Sequence, residues 1–341
     1  MINGHGNDIH QYKNKIVADF STNVFDNPET NEIIEYLKTQ VHAVKNYPDC
    51  NCTLLREKFS KKYKISPDSV LVCNGSTEAF YLVAHLFKCR TSIILTPSFS
   101  EYEDACKLYG HSLEFVPNES DFEDLELTNK IIWIGNPNNP DSKYIKPDYI
   151  KDLIKLNPST IFIIDEAYIN LSVLGESITS FVRNFSNLIV IKSFTKLYAI
   201  PGIRLGFIAA STNIIKQLKE LHMPWAVNVL AQEAGNYILD HLDLNSASID
   251  ELLNHSSELQ SKINQLTNFS VISSRCNYFL VKLAKGKASE LKEYLIDKHG
   301  LLIRDASNFR GLTDKYFRVA TNGNEKDLLL LNALEQWQKQ D

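Results

Sequence analysis

Short apolar runs alternate with amphipathic stretches through the middle of the chain. Between residues 69 and 210 the β-rich runs are SVLVCN, SIILT, KIIWIG, TIFIIDEA, NLIVIKSF and LGFIAAS. They lack strict apolar–polar alternation, which is typical of strands covered on both faces. Helical stretches separate several of them, among them STEAFYLVAHLFKC, SFSEYEDACKLYG and PDYIKDLIKL. This order predicts a mainly parallel, doubly wound sheet, in which ligands bind at the carboxyl ends of the strands.

The pattern changes after residue 210. Three helical stretches precede shorter strands, CNYFLVKL, LLIRD and YFRVA, and further helices are expected near 287–298 and 325–338. A helix near 29–43 and the turn-rich NYPDCNC precede the sheet, in a segment too short to fold alone. We therefore predict an α/β protein in three parts. These are an N-terminal segment over 1–44 that packs on the other lobes, a large domain over 45–240, and a small α+β domain over 241–341.

Composition narrows the classes of partner. The 341 residues include 36 Lys and Arg against 41 Asp and Glu, so the formal charge is −5 and neither nucleic acid nor an anionic membrane is indicated. No apolar run approaches the roughly 18 residues of a membrane span, and the polar opening lacks a signal-peptide core. No Cys or His spacing matches a zinc site. The sequence predicts a cytoplasmic protein without a metal.

Three strand ends carry polar residues that could do chemistry. GSTE at 75–78 joins a strand to a helix, where free N–H groups can hold a phosphate, although an ordinary Ser helix cap explains the same residues. Asp165 ends the strand TIFIID, where a buried carboxylate needs a cation or a hydrogen-bond donor. Lys196 lies between two apolar strands, where partial desolvation would lower its pKa and suit a Schiff-base amine. A solvated loop lysine is the alternative.

Together these strand ends supply an amine, a phosphate cradle and a carboxylate, which are the groups that pyridoxal phosphate needs. In the ordered motifs GSTEAF, NPNNP, DEAY, SFTK and GIRLGF the chain resembles the fold-type I pyridoxal-phosphate enzymes. The resemblance is to the branch that holds histidinol-phosphate aminotransferase and threonine-phosphate decarboxylase. It implies the fold-type I architecture, pyridoxal 5'-phosphate as cofactor, and a homodimer with shared active sites.

The resemblance also implies a role for each matching residue. Lys196 would bind the cofactor aldehyde, and Asp165 would pair with the pyridine nitrogen. Asn139 and Tyr168 would hydrogen-bond the phenolic oxygen, and Phe99 would stack on the ring. The implied phosphate contacts are Gly75, Ser76, Thr77, Ser193, Thr195 and Arg204, with Tyr47 from a partner subunit. With Asp165, Asn139 and Tyr168, Lys196 would form the catalytic group.

Four segments resemble threonine-phosphate decarboxylases in particular: GHGND, DFSTNVFDNP, HMPWAVNVLAQ and LLIRDASNFRGLTDKYFRVA. The implied substrate contacts are His5, Asn23, Arg304 and Arg318. Guanidinium groups suit the carboxylate and the phosphate of a phospho-amino acid, whereas surface salt bridges are the alternative for both arginines. Trp225 and Asn228 are further candidates for the same pocket. One departure from the family is NPNNPDS, where Asp141 and Ser142 replace the usual Thr-Gly.

We expect decarboxylation of L-threonine O-3-phosphate, a step toward the cobalamin side chain. The alternative is a histidinol-phosphate-type aminotransferase that moves an amino group to 2-oxoglutarate. Both reactions use the same cofactor contacts, and they differ in which bond at the substrate Cα stands perpendicular to the cofactor ring. A cofactor-binding sensor without activity is a third reading, against which the intact Lys196 and Asp165 argue.

Overall fold

The structure is a computed structural model that describes residues 6, 9–12, 15–24, 29–242 and 247–339. Its strands are β1 (Ala18–Asp19), β2 (Val70–Cys73), β3 (Thr91–Thr96), β4 (Ser112–Pro117), β5 (Ile131–Gly135), β6 (Ile161–Asp165), β7 (Leu188–Ser193), β8 (Gly206–Ala210), β9 (Phe269–Ile272), β10 (Tyr278–Leu283), β11 (Leu301–Leu302), β12 (Arg304–Asp305) and β13 (Tyr316–Ala320). Its α-helices are α1 (Glu29–Gln40), α2 (Thr53–Tyr63), α3 (Gly75–Leu86), α4 (Glu101–Leu108), α5 (Pro147–Leu156), α6 (Thr212–Leu221), α7 (Val229–His241), α8 (Ala247–Ile263), α9 (Ala288–His299) and α10 (Asn324–Trp337). None of these helices is long and apolar enough to cross a membrane.

The large sheet has seven strands in the order β2-β8-β7-β6-β5-β3-β4. All neighbours are parallel except β8, which runs antiparallel to both β2 and β7. Helices α3, α4 and α6 pack on one face of the sheet, and α2, α5 and α7 pack on the other. The predicted mainly parallel, doubly wound sheet is confirmed, and burial on both faces explains why its central strands are apolar throughout.

Two elements of the large lobe are absent from the expected set. Strand β4 lies at the sheet edge, where its side chains are mostly exposed or half-buried, so HSLEFVP carries a weak apolar signal. Helix α2 has a low average hydrophobicity because it carries three lysines, and its N-cap residue, Cys52, makes no side-chain cap hydrogen bond. Both segments form through tertiary contacts rather than through a strong local pattern.

The second sheet is antiparallel, in the order β12-β13-β10-β9, and α8, α9 and α10 pack around its core. The N-terminal segment contacts both lobes. Strand β1 pairs in parallel with β11, and the Tyr36 hydroxyl of α1 donates to Glu233 of α7 at 2.8 Å. The domain boundaries at 44/45 and 240/241 remain predictions.

A buried ion pair joins β7 to the end of β6 behind the cavity described below. Lys192 Nζ lies 2.7 Å from Glu166 Oε2, with side-chain exposures of 3% and 0%. Glu166 also accepts hydrogen bonds from the Ser177 hydroxyl and the Ile178 N–H, and Lys192 lies over the Tyr63 ring. Burial lowers the pKa of Lys192, but the charges and hydrogen bonds of Glu166 and Tyr63 together outweigh this effect, so the pKa is raised and the amine stays charged.

We predict that Lys192→Met destabilises the protein by about 3–5 kcal/mol, because Glu166 is then a buried charge without a cation. The Lys192→Met/Glu166→Gln double variant should regain part of this loss. Lys155→Met, which removes the exposed Lys155–Asp152 pair, is the matched control and should cost no more than about 1 kcal/mol. Urea unfolding measures all three, and equal losses in the single and double variants would contradict the prediction.

Candidate active site

The carboxyl ends of the parallel strands open into a cavity of about 250 Å³. Strand β5 leads into it through the loop after residue 135, β6 ends in it at Asp165, and the loop after β7 carries Lys196. The predicted site residues that line this cavity are Asn23, Ser76, Thr77, Phe99, Asn139, Asp165, Tyr168, Thr195, Lys196, Arg204, Arg304 and Arg318. The fold therefore brings together residues that lie almost 300 positions apart.

At one end of the cavity the first turn of α3 meets Arg204. Gly75 has φ +79°, and a Cβ on it would lie 3.0 Å from Arg204 Cζ and closer still to Nη2. Asn74 is the N-cap of α3, and Glu78 accepts the Asn74 N–H at 2.5 Å, so no Ser caps this helix. Ser76 and Thr77 instead line the cavity beside the Arg204 guanidinium.

Two more hydroxyl groups belong to this end of the cavity. Ser193 Oγ and Thr195 Oγ1 are 2.9 Å apart, on the segment that leads from β7 to Lys196. Thr195 lines the cavity, whereas Ser193 does not line it and contacts the Thr195 hydroxyl. A helix N-terminus, hydroxyl groups and a guanidinium are together the chemistry that holds a phosphate.

Asp165 is buried at the end of β6, and its carboxylate has two fixed donors. The Tyr102 hydroxyl donates to Oδ2 at 2.6 Å, and the Ala167 N–H donates to Oδ1 at 2.9 Å. Burial raises the pKa of Asp165 to about 6, although both hydrogen bonds act in the opposite direction. A protonated ring nitrogen beside this group would favour its ionised form.

Lys196 lines the same cavity as the phosphate-type donors. Loss of hydration lowers the pKa of Lys196 to about 8, and the positive charges of Arg318 and Arg204 act in the same direction. A large part of this amine is therefore neutral near pH 8, as a nucleophile or a proton acceptor must be. Lys196 is therefore not a fully solvated loop lysine.

The loop after β5 places Asn139 against Arg318. Asn139 Oδ1 accepts a hydrogen bond from Arg318 Nη1, which leaves the Asn139 amide N–H groups available for a ligand. The departure in NPNNPDS is accommodated within this turn. Asp141 accepts a hydrogen bond from the Asn138 amide at 2.6 Å, and Ser142 adopts φ +60°, a conformation that favours glycine.

Arg304 and Arg318 face each other across two antiparallel strands. They are register partners on β12 and β13, and their exposed fractions are 9% and 5%. Arg318 donates to the neutral acceptors Asn139 Oδ1 and Ser21 O, and its Nε has no hydrogen-bond partner among the described residues. Within the described part of the chain no carboxylate forms an ion pair with Arg318. The surface-salt-bridge alternative therefore does not describe Arg318.

Arg304 continues the cavity toward a second, wider cleft. Its Nη2 donates to Asn308 at 2.8 Å, and its guanidinium lies 5.2 Å from the centre of the Phe309 ring. The adjoining cleft of about 500 Å³ shares Phe99, Arg304 and Phe309 with the first cavity. The arginine end of the cavity is therefore open along the junction between α4 and the loop after β12.

Some predicted residues lie elsewhere. His5 falls outside the described residues. Tyr47 is 83% exposed and contacts Trp225, with ring centroids 5.0 Å apart, and neither residue lines the cavity of its own chain. Asn228 is the N-cap of α7, where its side chain accepts the Ala231 N–H at 2.8 Å. Asn228 therefore caps α7 and does not line the cavity as expected.

The cavity also contains residues outside the predicted set, of which Tyr102 and Phe309 make the most specific contacts. Tyr102 binds Asp165, and Phe309 packs beside Arg304. A signal for Tyr102 exists in the sequence, because it follows Phe99 by three residues at the start of a helix, a spacing that places both side chains on one side. Phe309 lies in a loop without periodicity, so no comparable signal exists for it.

The described residues fit pyridoxal phosphate. Gly75 keeps open the space beside Arg204 that a Cβ would fill, and Asp165 and Lys196 supply a buried acid and an amine of lowered pKa. The Asn23 amide is buried in the cavity wall, and among the described residues its oxygen and nitrogen have no hydrogen-bond partner. Such an unsatisfied group is costly unless a ligand completes it.

Residues 15–332 match the family aminotransferase class I and II, and the chain belongs to that family, whose members use pyridoxal phosphate. It is 31% identical to a histidinol-phosphate aminotransferase of Caldicellulosiruptor saccharolyticus, over 88% of this chain and 86% of the relative. It is also 31% identical to a protein of Caldanaerobacter subterraneus predicted to be a threonine-phosphate decarboxylase, over 85% and 83%. The L-threonine-O-3-phosphate decarboxylase of Porphyromonas gingivalis superposes with a TM-score of 0.91 at 34% identity, covering 95% of this chain and 100% of that one.

The glycine at position 75 allows a direct test of the phosphate end. Gly75→Ala should weaken pyridoxal phosphate binding by about 10-fold, because the left-handed conformation costs about 1–2 kcal/mol for Ala and the new Cβ displaces Arg204. Gly202→Ala is the matched control, since a Cβ there meets nothing within 4 Å. Absorbance titration of the cofactor-free protein gives both dissociation constants. Equal affinities in the two variants would contradict this account.

Proposed function

We propose that this protein is a decarboxylase of L-threonine O-3-phosphate. The observation that carries the proposal is the pair of buried guanidinium groups, Arg304 and Arg318, in register at one end of the cavity. Among the described residues Arg318 has only neutral acceptors, and a buried guanidinium is costly unless an anion pairs with it. A phospho-amino acid supplies two anionic groups, a carboxylate and a phosphate, which match two guanidinium forks.

The choice of reaction rests on similarity as well as on the site. The decarboxylase of Porphyromonas gingivalis shares 34% identity over nearly the whole chain, which supports the decarboxylase reading. The aminotransferase of Caldicellulosiruptor saccharolyticus is 31% identical, so a histidinol-phosphate-type aminotransferase is the second candidate. Both candidates use a phosphorylated amino substrate and the same cofactor end of the cavity. The link to cobalamin synthesis belongs to the decarboxylase proposal.

In the proposed reaction Arg318 holds the substrate carboxylate, because it is the more deeply buried of the two arginines and lies nearer Lys196 and Asn139. Arg304, beside the open cleft, then binds the phosphate. Asn139 orients Arg318 by accepting one of its N–H groups, which fixes the direction of the fork. The carboxylate is thereby held in one orientation, and orientation decides which bond at Cα breaks.

Lys196 acts on the proton in this scheme. Bound pyridoxal phosphate would draw electrons from the bond that breaks at the substrate Cα. When CO2 leaves, Cα takes up one proton, and the product is 1-amino-2-propanol O-2-phosphate. The Lys196 ammonium group, with its pKa lowered to about 8, can donate that proton near neutral pH. In transamination the same amine would instead remove the Cα proton.

We predict that the purified enzyme releases CO2 and aminopropanol phosphate from O-phospho-L-threonine. It should do so faster than it transfers the amino group of histidinol phosphate to 2-oxoglutarate, a reaction that yields glutamate and the keto phosphate together. Arg318→Ala should lower kcat/KM by about 100-fold or more, since a charge-assisted carboxylate contact is lost and Asn139 loses its partner. Coupled CO2 detection and mass spectrometry of the amine product measure these rates.

Two controls make the result interpretable. Lys196→Ala should abolish CO2 release, which excludes a contaminating enzyme. Arg183→Ala changes an exposed arginine whose Nε donates to the Ser180 carbonyl at 3.2 Å, and it should keep most of the activity because Arg183 lines neither cavity. Stoichiometric transamination of histidinol phosphate without CO2 from O-phosphothreonine would establish the aminotransferase function instead.

We also propose that the active unit is a homodimer. Tyr47 and Trp225 form an aromatic pair on the surface, with 83% and 50% of their areas exposed, and Met223 beside them is 74% exposed. Exposed aromatic residues of this kind are enriched in protein interfaces. The family resemblance implies that Tyr47 contacts the cofactor phosphate of the neighbouring subunit. Within its own chain Tyr47 does not line the cavity.

Mixing two inactive variants tests this arrangement. Lys196→Ala has no amine but an intact Tyr47, whereas Tyr47→Phe keeps the ring contact with Trp225 but loses the hydroxyl. When equal amounts are unfolded and refolded together, about a quarter of the wild-type sites should be complete, because half of the dimers are mixed and each has one intact site. A mixture of Lys196→Ala with the Lys196→Ala/Tyr47→Phe double variant is the control. Activity equal to the sum of the separate variants would contradict a shared site.

A further inference from the structure

We propose that Tyr102 is a positioning residue that orients the Asp165 carboxylate and keeps it ionised near neutral pH. The inference deepens the proposed function, because it rests on Asp165 as the partner of the cofactor's ring nitrogen. Tyr102 belongs to α4 and was not among the residues expected from the sequence. It touches neither Lys196 nor the arginines through a hydrogen bond, so it acts through Asp165.

The position of the Tyr102 hydroxyl is fixed by its surroundings. Its side chain is 2% exposed, with Phe80 edge-on at 5.0 Å and Trp133 stacked at 5.6 Å between ring centroids. Gly135 lies next to the hydroxyl, where a Cβ would be 3.4 Å from the oxygen. The ring therefore has one place in the core, and its hydroxyl can donate only toward Asp165.

Two donors from different elements set the plane of the carboxylate. Tyr102 of α4 binds Oδ2 at 2.6 Å, and the Ala167 N–H, just after β6, binds Oδ1 at 2.9 Å. Each oxygen keeps a second lone pair for a ligand in the cavity. A carboxylate held by only one donor could rotate about χ2, so the second donor gives the group a single orientation toward the cavity.

The charged and titratable groups around Asp165 explain why this hydrogen bond is needed. Four of these groups interact electrostatically with Asp165. They are Glu166 and Lys192 behind the sheet, and Tyr168 and Lys196 in the cavity. Burial raises the pKa of Asp165, and of the groups that lower it Tyr102 has the largest effect. Without the Tyr102 hydroxyl, ionisation of Asp165 must move to higher pH.

The Tyr102→Phe variant tests the proposal, since Phe keeps the ring in the core and removes only the donor. Loss of a hydrogen bond to a charged group should move the acid limb of pyridoxal phosphate binding upward by about one pH unit. Tyr81→Phe is the matched control, because the Tyr81 hydroxyl donates to Glu101 of the same helix at 2.9 Å, outside the cavity. The dissociation constant of pyridoxal phosphate is measured from about pH 5 to pH 9 for all three proteins.

A second measurement uses the cofactor-free protein. Because the folded-state pKa of Asp165 is raised above its unfolded value, its contribution to stability is present at low pH and is lost as pH rises through about 6. In Tyr102→Phe the loss should be larger and should extend to higher pH. The difference in melting temperature between Tyr102→Phe and wild type should therefore grow from about pH 5 to pH 8.

A third variant keeps the hydroxyl and makes it a stronger donor. Site-specific 3-fluorotyrosine at position 102 should move the acid limb to lower pH, opposite to Phe. A role confined to packing would change affinity equally at every pH and would overturn the proposal, as would an acid limb that is the same in wild type and Tyr102→Phe. If wild type fails to bind pyridoxal phosphate, the proposed function fails, and the melting experiment still decides the role of Tyr102.

Discussion

An ionised carboxylate at the end of a strand buried on both faces is the constraint on which the site depends. Asp165 has lost most of its hydration, and burial of an unpaired charge would be prohibitive. The fold offsets this cost with the Tyr102 hydroxyl, the Ala167 N–H and a nearby amine, Lys196. These same groups leave one side of the carboxylate free, so the compensation that allows burial also creates a place for a cationic ring nitrogen.

Alternation along the strands places neighbouring polar residues on opposite faces of the large sheet. Asp165 and Glu166 are neighbours in sequence, but one faces the cavity and the other accepts hydrogen bonds behind the sheet. Lys192 and Ser193 divide in the same way on β7, where Lys192 binds Glu166 and Ser193 supports Thr195. The buried ion pair joins β7 to the residue after Asp165. It therefore helps to hold the ends of β6 and β7 in register beside the cavity.

The arginine end of the cavity depends on strand register in the second sheet. Arg304 and Arg318 come from strands far from the cofactor motifs, and their antiparallel pairing places both guanidinium groups at one wall of the cavity. Asn139 joins the two ends, because its side chain accepts from Arg318 while its loop follows the central strand β5. A displacement of the Arg318 guanidinium would therefore move the Asn139 amide, which lines the same cavity as Asp165 and Lys196.

The sequence by itself determined the central strands, most helices and the polar strand ends, because apolar periodicity and capping residues are local signals. Topology then places the ends of parallel strands at one edge, so GSTE, Asp165 and Lys196 could be expected together. The edge strand β4, helix α2 and the hydrogen bond of Tyr102 were decided only by the tertiary structure. Each depends on a neighbour that is distant in sequence: a sheet edge, a packed helix, or a carboxylate 63 residues away. The facing of Arg304 and Arg318 depends likewise on strand register, which no single segment encodes.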